Sequence, residues 1–263
     1  MKNLKLLLGI VLLVISVQLI EAQVPPTAVA TDSIAIKEKK AKDKEAYEKW
    51  LKLDWPNLKR YSESNAKLGP PAANEKRVVF MGNSITDGWV RNSPEFFEGR
   101  PYIGRGIGGQ TSPQMLVRFR ADVINLKAKV VLILAGTNDI AGNSGPSTLE
   151  MIQDNLASMA DLATANGIKV ILCSILPAYD YPWKPGLKPY EKIIAMNQWI
   201  KEFADRNGYI YLDYYTAMVD SRPGLKIEYS SDGVHPNKLG YSIMEPLAEK
   251  AISKALRKNN RIH

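Results

Sequence analysis

Cysteine is nearly absent from this chain of 263 residues, and histidine is almost as rare: one cysteine, Cys173, and two histidines, His235 and His263. One cysteine excludes an internal disulfide. Two histidines and one cysteine are too few for an ordinary zinc cluster, and no loop signature marks a carboxylate-only cation site. The turn Gly104-Arg105-Gly106-Ile107-Gly108-Gly109 has Gly-x-Gly-x-x-Gly spacing, but that spacing alone is a weak signal and there is no phosphate-loop Lys-Ser/Thr, so nucleotide binding has little to rest on. No acidic pair stands out at a strand end, which leaves glycoside cleavage unsupported. The net charge is +8, but the lysines of residues 37–49 are mixed with acids. Without an aromatic-interleaved basic groove the reading is of solvated helix faces, with no nucleic-acid partner.

The ends carry their own signals. Lys2 and Lys5 precede an apolar stretch, Leu6 to Ile20, and Ala22 offers a small residue before a cut. Residues 1–22 therefore read as a secretory signal peptide, and the expected location is secreted or periplasmic. The apolar run is short for a membrane span, so no stable insertion is expected after cleavage, an uncleaved anchor being the alternative. Residues 23–76 read as a leader and a helical extension, with helices over 32–53 and 57–68, serving either to pack on the main domain or to oligomerise. Residues 77–263 read as one α/β domain.

Within that domain, short apolar runs alternate with helical periodicity. Strands are expected at Arg77–Met81, from Tyr102, at Val130–Ala135, Ile168–Ile175 and Tyr209–Asp213. Helices are expected over 113–126, from a capping box at Ser147 and Glu150, over 189–207 and over 237–257. Near-continuous apolar strands between helices imply a parallel sheet covered on both faces. Ligands of such sheets sit beyond the carboxyl ends of the strands. Ser84, the glycine turn 104–109 and Asn138 all fall at such ends.

Ser84 follows Gly82-Asn83 where a strand gives way to a helix. It serves there either as a cap or as a nucleophile beside unpaired backbone N–H groups. His235 lies three residues after Asp232 with Gly233 between, a spacing that can bring the carboxylate to Nδ1 and leave Nε2 to take a proton. A solvated surface turn is the other reading. Asp139 reads as a structural hydrogen-bonding residue beside Asn138. The proline-rich loop 176–191 carries Tyr179, Tyr181, Trp183 and Tyr190. Its aromatics either pack locally or form a substrate wall, with Tyr179, Trp183 and also Trp89 as substrate contacts.

Four blocks occur in order: Gly82-Asn83-Ser84-Ile85-Thr86, Arg105-Gly106-Ile107-Gly108-Gly109-Gln110-Thr111, Gly136-Thr137-Asn138-Asp139 and Asp232-Gly233-Val234-His235. Together they resemble the signature blocks of the SGNH (GDSL-type) serine esterases and acylhydrolases of secreted bacterial type, over about residues 77–257. The resemblance implies a flavodoxin-like three-layer α/β/α fold with a five-stranded parallel sheet. It implies Ser84 as nucleophile, His235 as base and Asp232 as the triad acid. It further implies an oxyanion hole from the N–H of Ser84, the N–H of Gly109 (Gly108 in the competing register) and the side-chain amide of Asn138. No cofactor or metal is implied, and the expected substrate is a small-molecule or glycan ester, O-acetyl groups on carbohydrate being favoured over a lysophospholipid or thioester. One departure is visible: Asn83 stands where the family usually has Asp.

Overall fold

Five parallel strands, in the spatial order β2-β1-β3-β4-β5, form the centre of the computed structural model. The structure describes residues 26–257, so the signal peptide expected at residues 1–22 lies outside them. The chain divides into two compact units, residues 1–50 and 51–263. The boundary expected at residue 77 therefore falls inside the second unit.

In chain order, helix α1 spans Pro26–Asp54 and α2 Ser62–Leu68, the latter preceded by a 3-10 turn at Leu58–Tyr61. Strand β1 is Val78–Gly82, α3 Ser84–Asn92, β2 Tyr102–Gly106 and α4 Ser112–Phe119. Strand β3 is Val130–Leu134, α5 Thr137–Ile140, α6 Leu149–Ala165, β4 Lys169–Cys173 and α7 Tyr190–Asn207. Strand β5 is Ile210–Leu212, α8 Tyr215–Met218 and α9 Lys238–Arg257. Two expectations shift. The helix expected over 113–126 widens into a π-turn at Arg120–Ile124. The cap of α6 is Thr148, whose Oγ1 accepts the Met151 N–H at 3.3 Å, rather than Ser147.

Strand pleating explains the three layers. Alternate side chains point to opposite faces. Val79, Met81, Val131, Ile133, Val170 and Leu172 share one core with α4, α6 and α7. Val78, Phe80, Val130, Leu132, Ile171 and Cys173 share the other with α3 and α9. A strand buried on both faces needs apolar residues at every position, and β1 and β3 are buried throughout. Each such side chain contributes ~1.5–3 kcal/mol on burial.

Register then fixes where function can sit. Gly82 pairs with Gly106 on one side and with Leu134 on the other, so β1, β2 and β3 end level. The order 2-1-3 makes the carboxyl end of β1 the point where the chain switches direction across the sheet, the usual ligand crevice of such folds.

Candidate active site

Ser84 begins α3, two residues beyond the end of β1. Asn83 caps the helix: its side-chain oxygen accepts the Ile85 N–H at 3.1 Å. A carboxylate at this position would accept the same bond, so the asparagine holds the turn without a charge. The turn is tight because neighbouring backbone crowds it. A Cβ at Gly106 would lie 2.1 Å from the Asp87 backbone nitrogen, so only glycine fits.

The Ser84 hydroxyl lies 2.9 Å from His235 Nε2, across 151 residues of chain. His235 Nδ1 lies 2.7 Å from Asp232 Oδ2. With the ring proton on Nδ1, facing the carboxylate, Nε2 is the acceptor that faces the serine. Asp232 is itself anchored. Its Oδ1 accepts the backbone N–H groups of Val234 at 2.9 Å and His235 at 2.8 Å, and the Ser230 hydroxyl at 3.0 Å. Partial burial pushes its pKa up, but the His235 backbone and ring hydrogen bonds and the Val234 N–H outweigh burial and hold the carboxyl at about 2. It is therefore ionised throughout the neutral range. Helix α9, which follows this loop, is tied to the nucleophile's helix by Tyr241, whose buried hydroxyl donates to the Ile85 carbonyl at 2.8 Å.

Asn138, in the short helix α5 after β3, is 3 % exposed. One of its amide hydrogens goes to the Gln110 carbonyl at 2.9 Å, and its oxygen accepts the Asn143 amide at 2.9 Å. The second amide hydrogen is left to donate elsewhere. The glycine turn is held in place from several sides. The Tyr61 hydroxyl donates to the Gly106 carbonyl. The side-chain amides of Gln110 and Gln114 donate to the carbonyls of Pro56 and Trp55, each at 2.8 Å. Buried Arg118 donates to the carbonyls of Gly82 and Arg105, both at 2.9 Å, and to Gln110 Oε1 at 2.6 Å, its charge balanced by Asp122 at 2.8 Å. Residues 55–65 thus pack on the main domain and brace the turn. Gly109 has φ +75°, a left-handed conformation that favours glycine. A Cβ on Gly108 would come within 4.0 Å of the Ser84 Cβ, so Gly108 adjoins the nucleophile turn, whereas a Cβ on Gly109 would meet open space. Asp139 is buried and accepts the Ser112 N–H at 2.8 Å and the Ser112 hydroxyl at 2.5 Å, which ties α5 to the start of α4. Burial pushes its pKa up, partly countered by those bonds.

The three expected substrate contacts separate. Trp89 is 1 % exposed and packs among Phe80, Phe96, Phe97 and Tyr241, with its indole N–H toward Glu245 at 3.5 Å. It cannot wall a substrate site. It lies four residues after Ile85, which places both on the sheet-facing side of α3. Tyr179 is 41 % exposed, but its ring stacks on Tyr190 at 5.4 Å under the Arg222 guanidinium. Trp183 is 39 % exposed with its ring 6.0 Å from the His235 ring. Sequence reasoning missed Ser230 and Asn143. A serine two residues before Asp232 is a weak signal for the first, and an exposed loop asparagine gives none for the second. Among the described residues no cluster of three or more histidine, cysteine or acidic side chains is placed to hold a metal ion.

A family model for GDSL-like lipases and acylhydrolases matches residues 80–243. The chain belongs to that family. A candidate acylhydrolase from Bacteroides fragilis is 52 % identical, with a TM-score of 0.76 over 78 % of this chain and 99 % of that one. Esterase TesA of Pseudomonas aeruginosa is 31 % identical over 166 residues, 59 % of this chain and 73 % of TesA. An acetylxylan esterase of Xylanibacter ruminicola is 27 % identical over 245 residues, 77 % of this chain and 48 % of that protein. The chain spans less than half the length of two of the curated relatives it matches. Members of this family cleave ester bonds, and the Ser84–His235–Asp232 geometry is chemically suited to acyl transfer.

Proposed function

We propose that this protein is a serine esterase that removes O-acetyl groups from carbohydrate outside the cytoplasm. The observation that carries the esterase chemistry is the 2.9 Å approach of the Ser84 hydroxyl to His235 Nε2, with Asp232 at 2.7 Å on the far side of the ring. Ser84 Oγ attacks the ester carbonyl while His235 Nε2 takes the hydroxyl proton. The tetrahedral oxyanion is held by the N–H of Ser84, the N–H of Gly109 and the side-chain N–H of Asn138. The intermediate collapses, His235 returns the proton to the departing alcohol oxygen, and an acetyl-serine ester remains. Water then attacks that ester as His235 takes its proton, and acetate leaves as Ser84 recovers its hydrogen. Asp232 stays ionised and stabilises the imidazolium formed at each step.

Two observations favour acetylated carbohydrate. The exposed indole of Trp183 beside His235 offers a face on which a pyranose ring can stack. The acetylxylan esterase relative shares 245 aligned residues. The secreted or periplasmic location rests on the signal-like residues 1–22. The experiment is an acyl-chain series of 4-nitrophenyl esters followed by acetate release from acetylated polysaccharides, with Ser84→Ala as control. Acetyl is expected to be cleaved faster than octanoyl, and Ser84→Ala is expected to be inert yet folded. A preference for octanoyl would favour a lysophospholipase or thioesterase-like role, and activity retained by Ser84→Ala would remove the nucleophile.

A further inference from the structure

We propose that Asn143 and Trp183 are positioning residues that set the orientation of the Asn138 side-chain amide, so that the exposed wall of the site is wired to its oxyanion hole. This rests on the reading of Asn138 as an oxyanion donor. A primary amide has one oxygen and two N–H donors, and the wrong flip would present an oxygen to the developing oxyanion. The fold provides one neighbour on each side of Asn138. The Gln110 carbonyl can only accept, and it takes one amide hydrogen at 2.9 Å. The Asn143 amide nitrogen can only donate, and it occupies the Asn138 oxygen at 2.9 Å. The two contacts select the same flip and leave the second N–H for substrate.

Asn143 would be ambiguous by the same logic, since its own amide can flip. Trp183 removes that freedom. The indole N–H is a donor only, and it lies 3.1 Å from Asn143 Oδ1. The Asn143 oxygen therefore faces Trp183 and its nitrogen faces Asn138. The backbone assists, because the Asn143 N–H donates to the Asn138 carbonyl at 3.0 Å. Trp183 is fixed in turn: its ring stacks on buried Tyr181 at 4.9 Å, with the planes 9° apart. The Asp180 carboxylate gathers the loop by accepting the N–H groups of Tyr181, Gly186 and Lys188. Two donor-only or acceptor-only groups, Trp183 at one end and Gln110 at the other, orient the two amides between them. Because Trp183 is exposed beside His235, a substrate ring packed on it also steadies the donor that activates the carbonyl.

The test uses 4-nitrophenyl acetate, which is too small to need the sugar contact, and reads kcat and KM separately. Asn143 is exposed, so its variants are expected to melt within a few degrees of the parent. Asn143→Ala should lower kcat on the order of tenfold with little change in KM. Asn143→Asp should be worse, on the order of a hundredfold, because a carboxylate only accepts and would draw the Asn138 N–H groups toward itself. Trp183→Phe keeps a ring and loses the N–H, and should lower kcat several-fold. In combination with Asn143→Ala it should add nothing, since both act through one amide. Asn143→Asp no slower than Asn143→Ala, additive losses, or effects confined to KM would each overturn the proposal. An inert parent, or an Asn138→Ala variant with the parent's kcat, would instead defeat the underlying reading of the site.

Discussion

Replacing Asn138 by alanine tests the site at one atom. The side chain holds three functions: one N–H to Gln110, an oxygen occupied by Asn143, and one N–H free for substrate. The first two are ground-state ties between neutral groups, worth ~1 kcal/mol each. Asn143 is exposed and water can replace its lost partner, so the stability loss should be about 1–2 kcal/mol. For a folded unit of this size that lowers Tm by roughly 2–8 °C. The third N–H matters only once the carbonyl oxygen carries charge. Losing one such donor costs about 3–4 kcal/mol of transition-state stabilisation, or roughly a hundred- to a thousandfold in kcat. KM should stay within about twofold, because the substrate's neutral carbonyl gains little from the donor in the ground state. The assay is steady-state hydrolysis of 4-nitrophenyl acetate at 25 °C, with circular dichroism to confirm the fold. A folded Asn138→Ala enzyme with kcat within tenfold of the parent would refute the oxyanion assignment. A loss appearing wholly in KM would show that Asn138 binds substrate without stabilising the transition state.

Other perturbations reach different parts of the structure. Tyr61→Phe removes the hydroxyl that donates to the Gly106 carbonyl; kcat on a small acetyl ester should fall at constant KM, and an unchanged kcat would sever residues 55–65 from the glycine turn. Asp232 is held below its ordinary carboxylate value, at about 2, so its stabilising contribution is present above pH ~4 and lost as pH falls through about 2. Between those values the parent's Tm should therefore drop more steeply than that of Asp232→Asn, and equal slopes would deny the coupling. Trp89→Ala should cost ~3–5 kcal/mol of stability from a fully buried ring, yet leave acyl-chain preference intact. A wild-type Tm, or a changed chain preference, would contradict its place in the core.

The glycine turn shows how the site depends on chain outside the signature blocks. Arg118 bridges the ends of β1 and β2 and the Gln110 side chain, while Trp55, Pro56 and Tyr61 reach the same turn from the extension. The turn supplies Gly109 and the carbonyl that orients Asn138, so two of the three proposed oxyanion donors are set from a segment that contributes no group to the reaction. A buried guanidinium with four partners is costly to desolvate, and its charge is tolerated only because Asp122 and three oxygens meet it.

What the sequence determined by itself was local or periodic. Runs such as Val130–Leu134 are apolar at every position because both faces of their strands are covered, and that alone implied a parallel sheet between helix layers. Order along the chain placed Ser84, the glycine turn and Asn138 at strand ends, and Asp232 with His235 in one turn. Tertiary structure decided the rest. The meeting of Ser84 with His235 depends on α9 docking against α3, a contact across more than 150 residues that no local pattern encodes. Trp89 was consigned to the core because the helix rotation set by Ile85 turns it toward the sheet, although its position beside the nucleophile suggested a substrate wall. Asn143 carried no signal at all: an exposed asparagine acquires meaning only when folding sets Trp183 on one side of it and Asn138 on the other. Periodicity reports which face of an element is buried, whereas directional hydrogen bonds between distant loops exist only once the chain has closed on itself.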